Sequence, residues 1–492
     1  MCGIIGSINS GNDDEVVLKG LEIMKNRGPN HNCLRPILVD KNGKETVEGY
    51  LGHNLLAIVG HVIQPLESNK SMLSANCEIY NWKELNLKYN LQAKNDADLL
   101  LKLLDMKGIE ALEELDGVYA FAYQQNEKIT LGRDIIGVKP LFYSGKSINS
   151  EKDIITEFVF GSEKKAIGKN SQELNPREIL TYNIISKKIT FEKRKFFELK
   201  NKEELDEKKL KQLIINAVKK RLPPKEDKIK IGVLFSGGID STLIAKIIKD
   251  LGYDLTCYSA GFQDEGTKKP DDLEVAERVA KDMDFNLKIK SIKLEDTEKY
   301  LKQIIPIIEE ADVVKAGVAL PFAVCCEEAK KNNVKIIFSG LGSEEIFAGY
   351  QRHKERVINQ EKNTNIKTIG KAINEECIQG LEVMHQRDLY RDDVITMNYG
   401  IELRLPLLDI ELTKYALGIP GEEKIINGVE KAILRKISKE IGVVDYVCER
   451  KKKAAQYGSR FDSAMKKLAH KKGFETRKEY LKQFLNESEI KY

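Results

Sequence analysis

Hydrophobic positions change rhythm part-way along the chain. Up to about residue 190, short apolar runs alternate with Gly, Asn and Asp, as in Tyr50–Gly60, Val118–Gln124, Lys128–Gly132 and Phe158–Gly161. Such runs predict strands. Helical spacing over Asp14–Arg27 and Asp96–Lys107 predicts helices that cover the sheets. Together these elements describe a layered α+β domain.

A Lys/Glu-dense stretch, Ser186–Lys209, reads as the connection to a second domain. Leu210, Ile214, Ala217 and Val218 then recur at helical spacing, and Pro223-Pro224 ends that helix. From Lys228 strand and helix alternate. Ile229–Phe235, Asp254–Gly261, Asn286–Ile292 and Val334–Phe338 read as strands, and Ser241–Leu251 and Asp272–Met283 as helices. That succession predicts a doubly wound parallel sheet. The remainder reads as mostly helical. The expected domains are residues 2–190, a connector over 191–227, and 228–492.

Composition adds only bounds. The chain has 492 residues, with 80 basic and 76 acidic side chains and a net charge of +4. So even a balance calls for neither nucleic acid nor an anionic membrane as partner. No apolar run approaches the ~18 residues of a membrane span, and no signal peptide is legible, so a cytoplasmic enzyme is expected. The eight cysteines include no C-x-x-C pair, which argues against a zinc site or a disulfide framework.

Ser236-Gly237-Gly238-Ile239-Asp240-Ser241-Thr242 falls between a predicted buried strand and a predicted helix. Glycines let the main chain approach an anion, and a helix start favours negative charge. Asp240 can hold Mg²⁺ against phosphate oxygens. The loop lacks the lysine of a Walker A motif. An ordinary Gly-rich turn is the plain alternative. Ser339-Gly340-Leu341-Gly342-Ser343-Glu344-Glu345 repeats the arrangement after another strand, with Glu344 as a second metal contact and Glu345 as a helix-start acid. Arg391-Asp392-Asp393 and Gly400–Asp409 read equally as buried ion pairs or substrate contacts. Arg450-Lys451-Lys452-Lys453 reads as a solvated charge run in which one lysine could meet pyrophosphate.

Cys2 is the one cysteine placed for chemistry. Once Met1 is removed, its own α-amine (pKa about 7.7–8.0) can serve as base for the thiolate. A tetrahedral oxyanion needs donors nearby, and Asn76-Cys77-Glu78-Ile79-Tyr80-Asn81 is the best source in this domain. An inert cysteine near a frayed end is the alternative.

Taken together, these segments resemble glutamine-hydrolysing asparagine synthetases over essentially the whole chain. The likeness is carried by Met1–Gly6, Arg27-Gly28-Pro29, Asn76–Asn81, Asn95–Asp98, Arg133-Asp134, Gly161-Ser162-Glu163, Ser236–Ser241, Ser339–Tyr350 and Gly400–Asp409. It implies an α+β N-terminal-nucleophile glutaminase with αββα layers. An α/β doubly wound ATP-pyrophosphatase domain, adenine nucleotide α-hydrolase-like, is implied to follow. It implies Cys2 as nucleophile, the Asn76 side chain and Cys77 amide as oxyanion donors, and glutamine held by Asn76, Glu78 and Asp96. It further implies ATP along Leu234, Ser236, Gly237, Gly238, Asp240, Ser241, Ala260, Ser339 and Gly340. Magnesium would sit on Asp240 and Glu344, and Lys452 would face the phosphates. The implied partners are small molecules (glutamine, and aspartate or another carboxylate), with a homodimer left open.

Departures from that family are informative. Leu55 stands where the family has an Arg that grips glutamine's α-carboxylate, and losing such a contact costs roughly 1.5–3 kcal/mol. Cys77 replaces a Gly, and Asn30 an Asp. Leu341 stands in place of a Glu tied to aspartyl-adenylate formation, and Val394 where some members have Lys. Stretches around Gly349–His353 and Ala454–Ser459 are similar to asparagine synthetase domain-containing proteins. The expected function is an ATP-dependent, glutamine-hydrolysing amidotransferase that makes asparagine through an acyl-adenylate, releasing AMP and pyrophosphate. The alternatives are the same chemistry on another carboxylate, or a nucleotide-binding regulatory protein with a decayed glutaminase.

Overall fold

Two antiparallel sheets make up the first compact unit, Met1–Phe196 with Met397–Gly400. The computed structural model describes the whole chain except Met1, Val59, Lys169 and residues 148–153, 199–204, 359–365, 452–454 and 490–492. In one six-stranded sheet Gly3–Ile8 lies between Lys44–Leu55 and Ile155–Gly161; in the other Ser71–Ile79 pairs with Gly117–Gln125. Between the sheets pack Ile4, Leu51, Leu131, Phe158, Phe160 and Tyr182. Phe158 stacks on Tyr182 at 4.5 Å between centroids, a contact worth about 0.5–1.5 kcal/mol beyond its buried area.

Helices cover both outer faces. Val17 and Leu21 of helix Asp13–Ile23 pack on Ile5, and the leucines of Asp96–Lys107 pack on Leu73, Ala75 and Phe121. The layers are therefore αββα, as expected. Boundaries moved where pairing overrode the pattern. The strand read over Tyr50–Gly60 spans Lys44–Leu55, and the helix read to Arg27 ends at Ile23 and is followed by a short 3-10 turn. The stretch read as a connector contains the strand Ile189–Lys193, whose backbone pairs with Glu178–Asn183.

The second unit, Phe197–Thr396 with Ile401–Tyr492, is built on a five-stranded parallel sheet. Its order is Asn286–Ile292, Leu255–Phe262, Ile231–Leu234, Ile336–Phe338, Glu402–Arg404. Helices Ile239–Asp250 and Val313–Lys331 bury Leu243, Ile244, Leu320 and Val324. The chain leaves the central strand Ile231–Leu234 toward one edge and returns to its other side at Ile336–Phe338. The topological switch point thus lies between these two strands, where open α/β sheets bind ligands. The first of the helices starts at Ile239 rather than Ser241, with Gly238 as its N-cap residue. No helix among the described residues is long and apolar enough to cross a membrane.

Candidate active sites

At the head of strand Gly3–Ile8, Cys2 is buried. Its backbone nitrogen donates to Asn76 Oδ1 at 2.9 Å, and Arg27 Nε donates to its carbonyl at 3.1 Å. Arg27 is in turn paired with Glu163 at 2.9 Å. Despite burial, Lys165 and Arg27 hold the Glu163 carboxyl below its ordinary range. Because Asn76 spends its oxygen on Cys2, its Nδ2 is a buried donor with no partner among the described residues. A buried donor left unused is what a developing oxyanion needs.

Leu55 ends its strand one position beyond the Gly3↔Asn54 pair and is 5% exposed. Cys77 Sγ lies 3.7 Å from Asp96 Oδ2, and burial, then the Asp96 charge, push this thiol well above its ordinary range. Asp96 also accepts from the amides of Ile79 and Ala97 at 3.1 and 2.9 Å. Glu78 is half-buried at the same strand end. The structure therefore brings together Cys2, Asn76, Cys77 and Asp96 around one strand terminus.

In the second unit, Leu234 ends the central strand and the loop turns at Gly237, whose φ is +66°. A Cβ there would also lie 2.9 Å from the Ala276 amide, so glycine is needed for conformation and for space. Ser236 is exposed, and Ser241 Oγ donates to the Gly238 carbonyl at 3.2 Å. Ala260 is buried on the adjacent strand. Across the switch point, the Ser339 amide donates to Arg404 O at 3.1 Å. A Cβ on Gly340 would stand 2.5 Å from Asp240 Cβ, so the two loops touch through that gap.

Asp240 and Glu344 converge on a single cation, the ammonium of Lys431. Its Nζ lies 2.9 and 2.7 Å from the two Asp240 oxygens, 2.9 Å from Glu344 Oε1 and 2.7 Å from Ser343 Oγ. Burial lowers the Lys431 pKa against the pull of Asp240. Lys431 has φ +55° at the head of helix Ala432–Ile441, a conformation that costs about 1–2 kcal/mol for a side-chain-bearing residue. Four polar contacts hold it there. Two carboxylates meeting at one cation position suit Mg²⁺, which needs one or two carboxylates and completes its octahedron with water and phosphate. No cluster of three or more His, Cys, Asp or Glu is available among the described residues, so an all-protein cage is not built here.

Known proteins match both halves. The family described as Asparagine synthase matches residues 209–373 and 367–490, and the Glutamine amidotransferase domain family matches residues 1–208. A Methanocaldococcus jannaschii protein, provisionally named an asparagine synthetase (glutamine-hydrolyzing), is 33% identical over 99% of this chain and 98% of its own length. The chain belongs to the asparagine synthase family. The human and bovine asparagine synthetases (glutamine-hydrolyzing) are 29% and 28% identical, each over 90% of this chain and 82% of their own.

Within this family member, sequence reasoning missed Lys431. One lysine at the start of an amphipathic helix carries no spacing signal, and only folding brings it from residue 431 to residue 240. Lys452 lies outside the described residues. The segments left between two readings form buried ion pairs. Arg391 Nε contacts Asp392 at 2.7 Å, Arg404 Nε contacts Glu402 at 2.7 Å, and Arg221 contacts Asp409 at 2.8 Å. Burial pushes the Asp392 carboxyl up to about 6.

Proposed function

We propose that this protein is an ATP-dependent amidotransferase that converts aspartate to asparagine, with glutamine as nitrogen donor. One observation carries the reading: Asp240 and Glu344 meet at one cation position at the sheet's switch point, beside the Ser236–Ser241 loop. In the other unit Cys2 stands against an Asn76 donor that has no partner among the described residues.

Cys2, with Met1 removed, attacks the glutamine side-chain amide. Asn76 Nδ2 and the Cys77 amide hold the oxyanion, ammonia leaves, and water releases glutamate. Asp96 and Glu78 supply negative charge for glutamine's α-ammonium. At the second site, ATP phosphates lie along Ser236, Gly237, Gly238 and Ser241. Leu234, Ala260, Ser339 and Gly340 line the nucleotide with backbone. The acceptor carboxylate attacks the α-phosphorus and pyrophosphate departs. Ammonia then attacks the acyl carbon, AMP leaves, and the amide forms. Mg²⁺, held by Asp240 and Glu344, would neutralise charge on the phosphate oxygens. Lys431 holds both carboxylates in place while the position is its own; with Mg²⁺ there, its ammonium would turn to the departing pyrophosphate, a role that Lys452 would share.

The test is product analysis by mass spectrometry after incubation with ATP, Mg²⁺, aspartate and amide-¹⁵N glutamine. Labelled asparagine, AMP and pyrophosphate are expected. No pyrophosphate with aspartate, but release with another acid, would move the acceptor, a reading favoured by the half-buried apolar Leu341 beside Gly340. No pyrophosphate with any acid would leave a nucleotide-binding regulator.

A further inference from the structure

One short stretch past the Glu344 cation position, the chain builds a second polar cluster. Glu345 is fully buried, and its Oε1 accepts from Tyr350 Oη at 2.8 Å and from Arg387 Nη2 at 2.5 Å. Its Oε2 is buried and has no partner among the described residues. Arg352 places its guanidinium 4.0 Å from the Tyr350 ring centre, while its Nε contacts Glu376 at 2.9 Å. Its Nη2 is likewise buried and unpartnered.

Both orphaned atoms belong to groups that border the same helix position. A Cβ on Gly380 would lie 3.1 Å from Arg352 Nη2 and 3.4 Å from Glu345 Cγ. A lone acceptor on a carboxylate and a lone donor on a guanidinium, each shielded from water, are costly unless something completes them. A molecule with an ammonium and a carboxylate on neighbouring atoms would complete both. The side chains of Arg352 and Arg387 are 36% and 30% exposed, whereas that of Glu345 is fully buried.

We propose that Glu345 and Arg352, with Tyr350 and Arg387 as their frame, read the α-amino-acid headgroup of the acceptor. Glu345 Oε2 receives the ammonium and Arg352 Nη2 the α-carboxylate. The acceptor's side-chain carboxylate then points toward the adjacent Glu344 and Asp240 position. This assignment rests on the ligase reading of the same unit and names the groups that make it specific for an amino acid.

The experiment measures pyrophosphate release by the full chain with ATP, Mg²⁺ and ammonium chloride, varying either aspartate or succinate, its counterpart without the amine. Wild type is expected to prefer aspartate. Glu345→Gln is expected to raise the aspartate KM about tenfold or more and to leave succinate nearly unchanged, as loss of one charge-assisted hydrogen bond predicts. Arg352→Gln should raise both. Gly380→Ala, which removes no charge and favours the helix, should raise the aspartate KM several-fold by displacing Arg352. The ATP KM should stay put in all three. If Glu345→Gln and Gly380→Ala, both folded, keep the wild-type aspartate-to-succinate ratio, the headgroup assignment is wrong. If wild type releases no pyrophosphate with any acid, the ligase reading itself fails and takes this assignment with it.

Discussion

Lys431 bonds both oxygens of Asp240, at 2.9 and 2.7 Å, although the two residues are 191 positions apart. The bond joins the head of helix Ala432–Ile441 to helix Ile239–Asp250 at the cation position. Deleting one partner of a buried charge cluster leaves the others uncompensated, at about 3–5 kcal/mol. Lys431→Met should therefore destabilise the second unit by about 3 kcal/mol in denaturant unfolding. Millimolar Mg²⁺ should restore much of that loss, because a divalent cation replaces the missing ammonium between Asp240 and Glu344. Unfolding that is insensitive to Mg²⁺ in this variant would separate the carboxylates from any metal role.

Cys2→Ala should abolish glutamate release from glutamine and leave ammonia-dependent pyrophosphate release intact. Asn76→Ala should also cut glutaminase turnover, by about 10²–10³, the cost of one oxyanion donor. Asn76 also orients Cys2 through the 2.9 Å contact, so Asn76→Asp, which keeps that acceptor but removes the Nδ2 donor, isolates the donor role. An equal rate in Asn76→Asp and wild type would exclude it.

Leu55 is buried beside Cys2, where a cation could meet glutamine's α-carboxylate. Leu55→Arg is expected to lower the glutamine KM about tenfold or more, as gaining a charge-assisted contact predicts. The same change should lower Tm in the absence of glutamine, since it buries an unpaired charge, and added glutamine should recover it. A glutamine KM that rises instead would show that the α-carboxylate lies elsewhere.

Acid should unfold this protein earlier than its charge balance suggests. Burial drives His53 and His353 from 6.5 down to about 3. Both are neutral in the fold and protonated when unfolded, so their contribution is present above about pH 6.5 and is lost as pH falls toward 3. Each histidine adds a slope of about 1.4 kcal/mol per pH unit across that window. Glu163 and Asp409, held low by their cations, lose stability in the same direction further down. Asp392 opposes them, its contribution being lost as pH rises through about 6. Tm measured from pH 7 to pH 4 should fall, and His53→Gln, which can still donate to Ala75 O, should flatten the curve.

Gly340→Ala should be inactive in pyrophosphate release. Its Cβ would press on Asp240 Cβ at 2.5 Å and part the two loops at the switch point. ATP-dependent activity at half the wild-type level or above would show that the loops have slack.

Much of this architecture was legible along the chain, for a local reason. The helix over Asp96–Lys107 and the strand over Asn286–Ile292 fall where the pattern put them, because a leucine stripe or an apolar run declares its own period. The strand Glu402–Arg404 was not legible: it has three residues, two of them charged. Its place in the sheet depends on the Arg404–Glu402 pair and on pairing with Ile336–Phe338. The connector failed in the opposite sense, since Ile189–Lys193 is polar enough to pass as linker yet completes a sheet edge.

The sequence by itself determined the two layered domains, the cysteine at the head of the first strand and the Gly-rich turn between strand and helix, because each rests on residues within a few positions of one another. Tertiary structure alone decided that Lys431 stands between Asp240 and Glu344, that Leu55 is buried at the strand end near Cys2, and that Glu345 and Arg352 keep unanswered atoms beside Gly380. Those facts depend on side chains tens to hundreds of residues apart being forced together by sheet order and core packing, and no local period records such a meeting.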